Sequence, residues 1–207
     1  MNNTINQTLI DKIQLNYDKT PLAVFLIGAN GSGKSTLRNY LNLADIQTNI
    51  DPDVLNRIVK IEWSDTFQIE SARLALNMYS LAMKNNLNIC MESTLSGHGT
   101  MQRILEAKQL GYFLIGYFIG LNDVEINLSR IAKRVAAGGH NIAESAVRRR
   151  YQESITNLLQ IKDHFDNLHI IDNSSTHYKL QLSRHNLQTS VYDNLEPWAA
   201  KIANHFI

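Results

Sequence analysis

The most constraining feature of the sequence is a glycine-rich segment that directly follows a continuous apolar run. Residues 22–28 read LAVFLIG, and Gly28 to Ser35 complete the pattern G-x-x-x-x-G-K-[ST]. A continuously apolar strand is typical of a parallel sheet covered on both faces. Between a strand and a helix, this pattern predicts a loop whose N–H groups surround phosphate oxygens.

The motif predicts nucleoside triphosphate binding, with Mg²⁺ as the accompanying ion. We expect the Lys34 ammonium to reach the β- and γ-phosphates and the Ser35 hydroxyl to bind Mg²⁺. The predicted nucleotide-binding residues are Gly28, Ala29, Asn30, Gly31, Ser32, Gly33, Lys34, Ser35 and Thr36.

Strand and helix patterns alternate along most of the chain, which predicts an α/β P-loop NTPase fold with a mainly parallel five-stranded sheet flanked by helices. A helix is expected from Lys34 to Leu43, and Asn141 with Glu144 has the spacing of a capping box that opens another. A helical lid over about 130–155 and a C-terminal β-hairpin, followed by a helix, over about 176–207 complete the prediction. The expected strands lie near 22–28, 49–51, 88–91, 112–119 and 169–171.

Composition restricts the class of protein and of partner. The 207 residues contain only three prolines and no Gly/Ser linker, so we expect one domain over 1–207. With 20 basic and 19 acidic side chains, the net charge of +1 favours neither nucleic acid nor a membrane as partner. A single cysteine, no signal-like start and no apolar run of about 20 residues predict a cytoplasmic protein.

Three classes of protein use a loop of this kind. A GTPase switch requires the base-reading motif N-K-x-D, and a motor ATPase requires interface elements supplied in trans; neither is found in this sequence. A small-molecule kinase requires an acceptor site, a base for the acceptor hydroxyl and cations near the transferred phosphoryl group. The alternative from another class is a nucleotide-binding regulatory ATPase without an acceptor substrate.

Carboxylates and hydroxyls follow two of the predicted strands. Asp51 and Asp53 come just after the second strand, where either could accept a proton from a substrate hydroxyl or could cap a helix. The third strand leads into Glu92, Ser93 and Thr94. Glu92 has the position of an acid that orients magnesium-bound water, and the two hydroxyls could hold an acceptor.

Six basic residues and one acid lie between Arg130 and Arg150. Two predicted helices joined by Gly138 and Gly139 in this region are typical of a mobile lid that brings guanidinium groups to a phosphoryl group. Arg149 has an i,i+4 acidic partner and favours an ordinary ion pair, whereas Arg148 is compatible with either role. Arg134 and Arg150 lack such partners and are the predicted catalytic arginines.

Taken in order, GANGSGKST, NIDPD, MESTLSG and RVAAGGHNI leading to RRRY resemble the zeta-toxin family of P-loop kinases, especially its compact single-domain bacterial members. The resemblance covers roughly residues 22–172. It implies an ATP- and Mg²⁺-dependent kinase that phosphorylates a hydroxyl of a small molecule, with UDP-N-acetylglucosamine or another nucleotide-linked compound as candidate acceptor. A separate antitoxin protein is a candidate partner, and an inactive toxin relative is the alternative.

Carried over residue by residue, the resemblance makes Asp53 the catalytic base, Glu92 and Thr94 substrate contacts, and Arg134 a phosphate-stabilising arginine. The family's second lid arginine aligns near His140, so Arg150 or Arg148 would replace it from the next helix. The chain also lacks the insertions that build the amino-sugar pocket of larger toxins.

Overall fold

The structure is a computed structural model that describes residues 7–14, 21–51 and 65–206. Its strands form one sheet with the order β2-β3-β1-β4-β5-β6-β7. The first five in this order are parallel, whereas β6 and β7 add an antiparallel hairpin at the β5 edge. The strands are β1 (Leu22–Ile27), β2 (Thr48–Ile50), β3 (Ile89–Ser93), β4 (Phe113–Gly120), β5 (Asn167–Asp172), β6 (Lys179–His185) and β7 (Gln188–Val191).

Helices cover both faces of this sheet. They are α1 (Gln7–Ile13), α2 (Lys34–Arg38), α3 (Asp65–Lys84), α4 (His98–Gln109), α5 (Val124–Ala136), α6 (Glu144–Ile161) and α7 (Pro197–Ala203), with a 3₁₀ turn at Lys162–His164. The predicted fold class is therefore confirmed, with five parallel strands and the expected C-terminal hairpin. Among the described residues, no helix is both long enough and apolar enough to cross a membrane.

Alternate residues of each central strand enter two separate apolar cores, because successive side chains point to opposite faces of a sheet. In β1, Phe25 and Ile27 pack with residues of α3, α4, α6 and α7, whereas Val24 and Leu26 pack with α1 and α2. All six residues of β1 are buried. This two-sided burial explains why the strand is continuously apolar in the sequence.

Two boundary predictions were wrong. Helix α2 ends at Arg38 rather than Leu43, because the next N–H groups bond three residues back and the chain continues as tight turns. The capping box predicted Asn141 as the N-cap, but helix α6 begins at Glu144 with Ala143 as its N-cap and has no side-chain cap. Asn141 lies two residues too early to act as the cap.

The buried face of α5 is centred on a polar residue. Val124, Leu128 and Val135 mark its apolar stripe in the sequence, yet all three are only partly buried. Asn127 is fully buried and Ile131 nearly so. The buried face of α5 is therefore centred on Asn127 and Ile131, because this face packs on the glycine-rich loop.

Candidate active site

The candidate site lies where the carboxyl ends of β2, β3 and β1 meet. In the register of the sheet, Ile50 of β2 lies beside Met91 of β3, and Leu26 of β1 lies beside Glu92. The residues that follow these positions therefore come together at one edge. Ligands of open parallel sheets bind at this edge.

The glycine-rich loop occupies this edge and turns directly from β1 into α2. Gly33 has a φ of +103°, in the region that favours glycine. Gly31 lies so close to α5 that a Cβ atom there would be 2.8 Å from the Asn127 carbonyl oxygen. Glycine is thus favoured at position 33 by the backbone conformation and at position 31 by the closeness of α5.

Lys34 and Ser35, the two functional side chains of the motif, lie at the start of α2. The Lys34 ammonium donates to the Gly28 carbonyl at 2.8 Å and to the Ala29 carbonyl at 3.1 Å, so it lies over the beginning of the loop. The Ser35 hydroxyl donates to Glu92 Oε2 at 2.8 Å. The structure therefore brings Glu92 to Lys34 and Ser35, although 57 positions separate it from Ser35.

Glu92 is a buried carboxylate in a mixed electrostatic environment. Burial is the main cause that raises its pKa, and the neighbouring Asp51 carboxylate raises it further, whereas the Ser35 hydrogen bond and the Lys34 and Arg38 charges lower it. The Arg38 guanidinium lies 3.6 Å from Oε1, which has no hydrogen-bond partner among the described residues. A cation would offset the cost of this buried charge.

The donor set suits Mg²⁺, which prefers hard oxygen ligands and keeps several waters. Ser35 Oγ and the incompletely satisfied Glu92 carboxylate are such donors. Within the part of the chain that the structure describes, no group of three or more His, Cys, Asp or Glu residues could hold a metal ion. These residues fit an ion that is held largely by phosphate and water.

The predicted base lies outside the described residues. Asp53 falls between residues 51 and 65, where no placement is described, so the structure does not test its role. Asp51, the other candidate, follows β2 directly, is 8% exposed and lies close enough to Glu92 to raise its pKa.

The two hydroxyls after Glu92 have different surroundings. Ser93 Oγ is 2.6 Å from Thr100 Oγ1 and also accepts a hydrogen bond from the Leu95 N–H, so it stabilises the turn into α4. Thr94 Oγ1 lies 2.7 Å from Ser96 Oγ and is partly exposed. Both residues are partly exposed, and Ser93 has the additional bond to the backbone.

The basic residues of α6 divide as the helical phase requires. Arg150 donates to the Asn30 side-chain oxygen at 2.9 Å and so contacts the glycine-rich loop. Arg149 points away and forms an ion pair with Glu153, as expected. Arg148 is bound to Glu144 and Glu125, which favours the ion-pair interpretation for this residue.

Arg134 lies on α5, two turns beyond Asn127 and on the same face. Its side chain is exposed, and its guanidinium donates to the His140 carbonyl at 3.4 Å, within the Gly138–Gly139 connection between the two helices. The structure thus places Arg150 against the loop, whereas the Arg134 guanidinium bonds to the connection between α5 and α6.

Three side chains that the sequence analysis did not identify bind the outer side of the loop. Asn127 donates to the Asn30 carbonyl at 2.6 Å, Asn173 to the Ser32 carbonyl at 2.7 Å, and the Tyr178 hydroxyl to the Gly33 carbonyl at 2.8 Å. They lie 97, 141 and 145 positions from their partners. Nothing in the local sequence distinguishes them, since each acts only through a long-range contact.

The fold and this loop define the class of P-loop kinase-like proteins. The family model for zeta toxin matches residues 6–195, and the chain therefore belongs to the zeta-toxin family. An uncharacterized protein of Haemophilus influenzae is 43% identical over 129 residues, which are 62% of this chain and 91% of that protein.

Solved structures show the same fold at low sequence identity. A chain of the AvrRxo1-ORF1:AvrRxo1-ORF2 complex with sulphate ions has a TM-score of 0.63 and 16% identity over 84% of this chain. This chain spans 62% of the length of that one, which has also been solved with ATP. The PezAT toxin–antitoxin system of Streptococcus pneumoniae gives a TM-score of 0.54 and 14% identity over 76% of this chain and 70% of that one.

The raised pKa of Glu92 predicts how its removal changes stability. When the pKa of a carboxyl group is raised by folding, the group contributes its full stability only at a pH below the pKa of the unfolded state. This contribution is lost as the pH rises through the pKa of the folded state. In EDTA at pH 7 to 8, we expect Glu92→Gln to raise the thermal midpoint by about 2–4 °C, the shift given by about 1 kcal/mol in a chain of this size. Differential scanning calorimetry measures it.

The difference should vanish near pH 4, where Glu92 itself is protonated. Glu153→Gln is the matched control, because this acid is only partly buried and forms its ion pair with the exposed Arg149. A Glu92→Gln midpoint at or below that of the wild type at pH 8 would show that the local cations outweigh burial.

Proposed function

We propose that the protein is an ATP- and Mg²⁺-dependent phosphotransferase that transfers the γ-phosphoryl group to a hydroxyl of a small, nucleotide-linked metabolite, with UDP-N-acetylglucosamine as one candidate acceptor. The observation that carries the proposal is the Ser35–Glu92 hydrogen bond at 2.8 Å beside Lys34. It joins the phosphate-binding loop to the strand end that leads to the hydroxyls of Ser93 and Thr94. Family membership supports the same class of reaction.

Lys34 and the loop amides bind the phosphates in this mechanism. Ser35 and Glu92 would hold Mg²⁺, which when bound neutralises phosphate charge and orients its waters. Thr94 and Glu92 bind the acceptor, and Ser93 keeps the strand end in place. Asp53 accepts the proton of the attacking hydroxyl, a role that follows from the family resemblance and from its place just after Asp51.

Arg150 and Arg134 would stabilise the negative charge of the transferred group. The Arg150 hydrogen bond to Asn30 in the loop supports this role. Arg134 reaches the group only if the connection at Gly138 and Gly139 lets α5 and α6 close together, as a lid does. This region, about 130–155, would exclude water from the reaction.

One structural neighbour is described as a toxin–antitoxin system and another as a complex of AvrRxo1-ORF1 with AvrRxo1-ORF2, which supports a separate antitoxin as partner. We include this partner in the proposal, bound to the toxin as a second protein chain. The charge balance gives no reason to propose nucleic acid or a membrane surface.

The decisive experiment incubates the protein with ATP labelled at the γ-phosphate, Mg²⁺ and a cytosolic metabolite extract. We expect a labelled acceptor that is absent with Lys34→Ala, because the ammonium contacts the phosphates. Purified UDP-N-acetylglucosamine is tested in parallel. Release of labelled phosphate alone, dependent on Lys34 but without a labelled acceptor, would instead support a regulatory ATPase.

Asp53→Ala separates chemistry from binding. If Asp53 is the general base, its loss should lower turnover by at least ~100-fold while ATP affinity stays near that of the wild type. Isothermal titration gives the affinity, and labelled-product formation gives the rate. Asp51→Ala is the comparison, because it removes the other acid of the same segment. Retained turnover in Asp53→Ala would exclude Asp53 from this role.

Neighbouring arginines of α6 provide a matched pair of variants. Arg150→Ala should lower kcat by about 10²–10³-fold with little change in the KM for ATP, the effect of losing a transition-state charge partner. Arg149→Ala should remain within about twofold of the wild type, because its partner is the surface residue Glu153. Equal activities of the two variants would contradict the assignment of Arg150.

A further inference from the structure

Side chains that lie far away in the sequence donate hydrogen bonds to carbonyl oxygens of the glycine-rich loop. Because a trans peptide places its C=O and N–H on opposite sides, a hydrogen bond to one carbonyl fixes the direction of the next residue's N–H. Bonds to the carbonyls of Asn30 and Ser32 therefore fix the N–H groups of Gly31 and Gly33. These are the peptides that glycine leaves most free to rotate.

Asn127 and Asn173 provide these two bonds. Their side chains are 0% and 1% exposed, and both partners are carbonyl oxygens, to which only the amide NH₂ can donate. A buried amide without a partner costs free energy, so each asparagine holds its carbonyl as firmly as the carbonyl holds it.

The segment around Asn173 is itself fixed by contacts outside the loop. The N–H of Asn173 donates to the Gly120 carbonyl at the end of β4, and its own carbonyl accepts from Arg130 at 2.7 Å. The preceding residue, Asp172, is fully buried and accepts hydrogen bonds from Ser174 and from the indole of Trp198 in α7. The loop is thereby connected through Asn173 and Asp172 to the C-terminal helix α7.

We propose that Asn127 and Asn173 are positioning residues that set nucleotide affinity by holding the N–H groups of Gly31 and Gly33 in the direction of the phosphates. Tyr178 contributes a weaker third bond, because the Gly33 carbonyl also accepts from the Leu37 N–H. The inference rests on nucleotide binding by this loop, as proposed above, and adds two binding determinants that lie outside the motif.

The test uses inorganic tripolyphosphate and ATP as probes, titrated calorimetrically in Mg²⁺ at 15 °C. Asn127→Leu and Asn173→Leu keep nearly the same side-chain shape but remove the donor. Each should raise the Kd for both probes about tenfold, the effect of one lost hydrogen bond. Tripolyphosphate isolates the loop from the base and the sugar.

Asn88→Leu is the matched control. Asn88 lies just before β3, at the end of the strand that is remote from the loop, and its amide donates to the Asp45 carbonyl. Removing this donor should therefore lower the thermal midpoint without changing either Kd. If the three asparagines had only a structural role, all three variants would have a lower thermal midpoint and an unchanged Kd. Unchanged Kd values in folded Asn127→Leu and Asn173→Leu would therefore overturn the inference. If these two do not fold, Tyr178→Phe should still weaken tripolyphosphate binding about threefold, and an unchanged Kd would overturn it.

The two proposals fail differently. A wild-type protein that binds neither probe would refute nucleotide binding itself. A wild-type protein that binds ATP and loses binding in Lys34→Ala, while both leucine variants bind normally, would refute only the positioning role.

Discussion

Several peptide N–H groups that point into one concavity repel each other, so the arrangement persists only if the opposite side of each peptide is held. In this protein the groups that fix these peptides come from several separate segments of the chain. Strand β1 and helix α2 fix the two ends of the loop, α5 provides Asn127, and the segment after β5 provides Asn173 and Tyr178. The sheet order, which places β1 between β3 and β4, makes these approaches possible.

The same order brings the acidic groups to the loop. Because β2, β3 and β1 are adjacent and parallel, Asp51 and Glu92 reach the edge at which α2 begins. Ser35 then contacts Glu92 although 57 positions separate them. The site is thus a consequence of strand order, which brings segments that are distant in the sequence to one edge of the sheet.

The sequence predicted those features that depend on local pattern. The phosphate-binding loop, the five parallel strands and the hairpin follow from apolar periodicity and glycine placement, and the separation of Arg149 from Arg150 follows from helical phase. It did not predict Asn127 and Asn173, since a buried asparagine has no local signature. The cap of α6 was also predicted wrongly, because Asn141 lies two residues before the position at which the helix is capped.

A last consequence concerns Glu92 and the metal. Burial and Asp51 disfavour the charge of Glu92, whereas Ser35, Lys34 and Arg38 favour it, and the balance raises its pKa. A carboxylate that already had full compensation from the protein would gain little from a cation. One that is partly compensated would gain more, so a metal bound together with a nucleotide would relieve an unfavourable charge in the protein as well as that of the phosphates. In the proposed function, metal affinity would therefore depend on the burial of Glu92 as well as on the nucleotide.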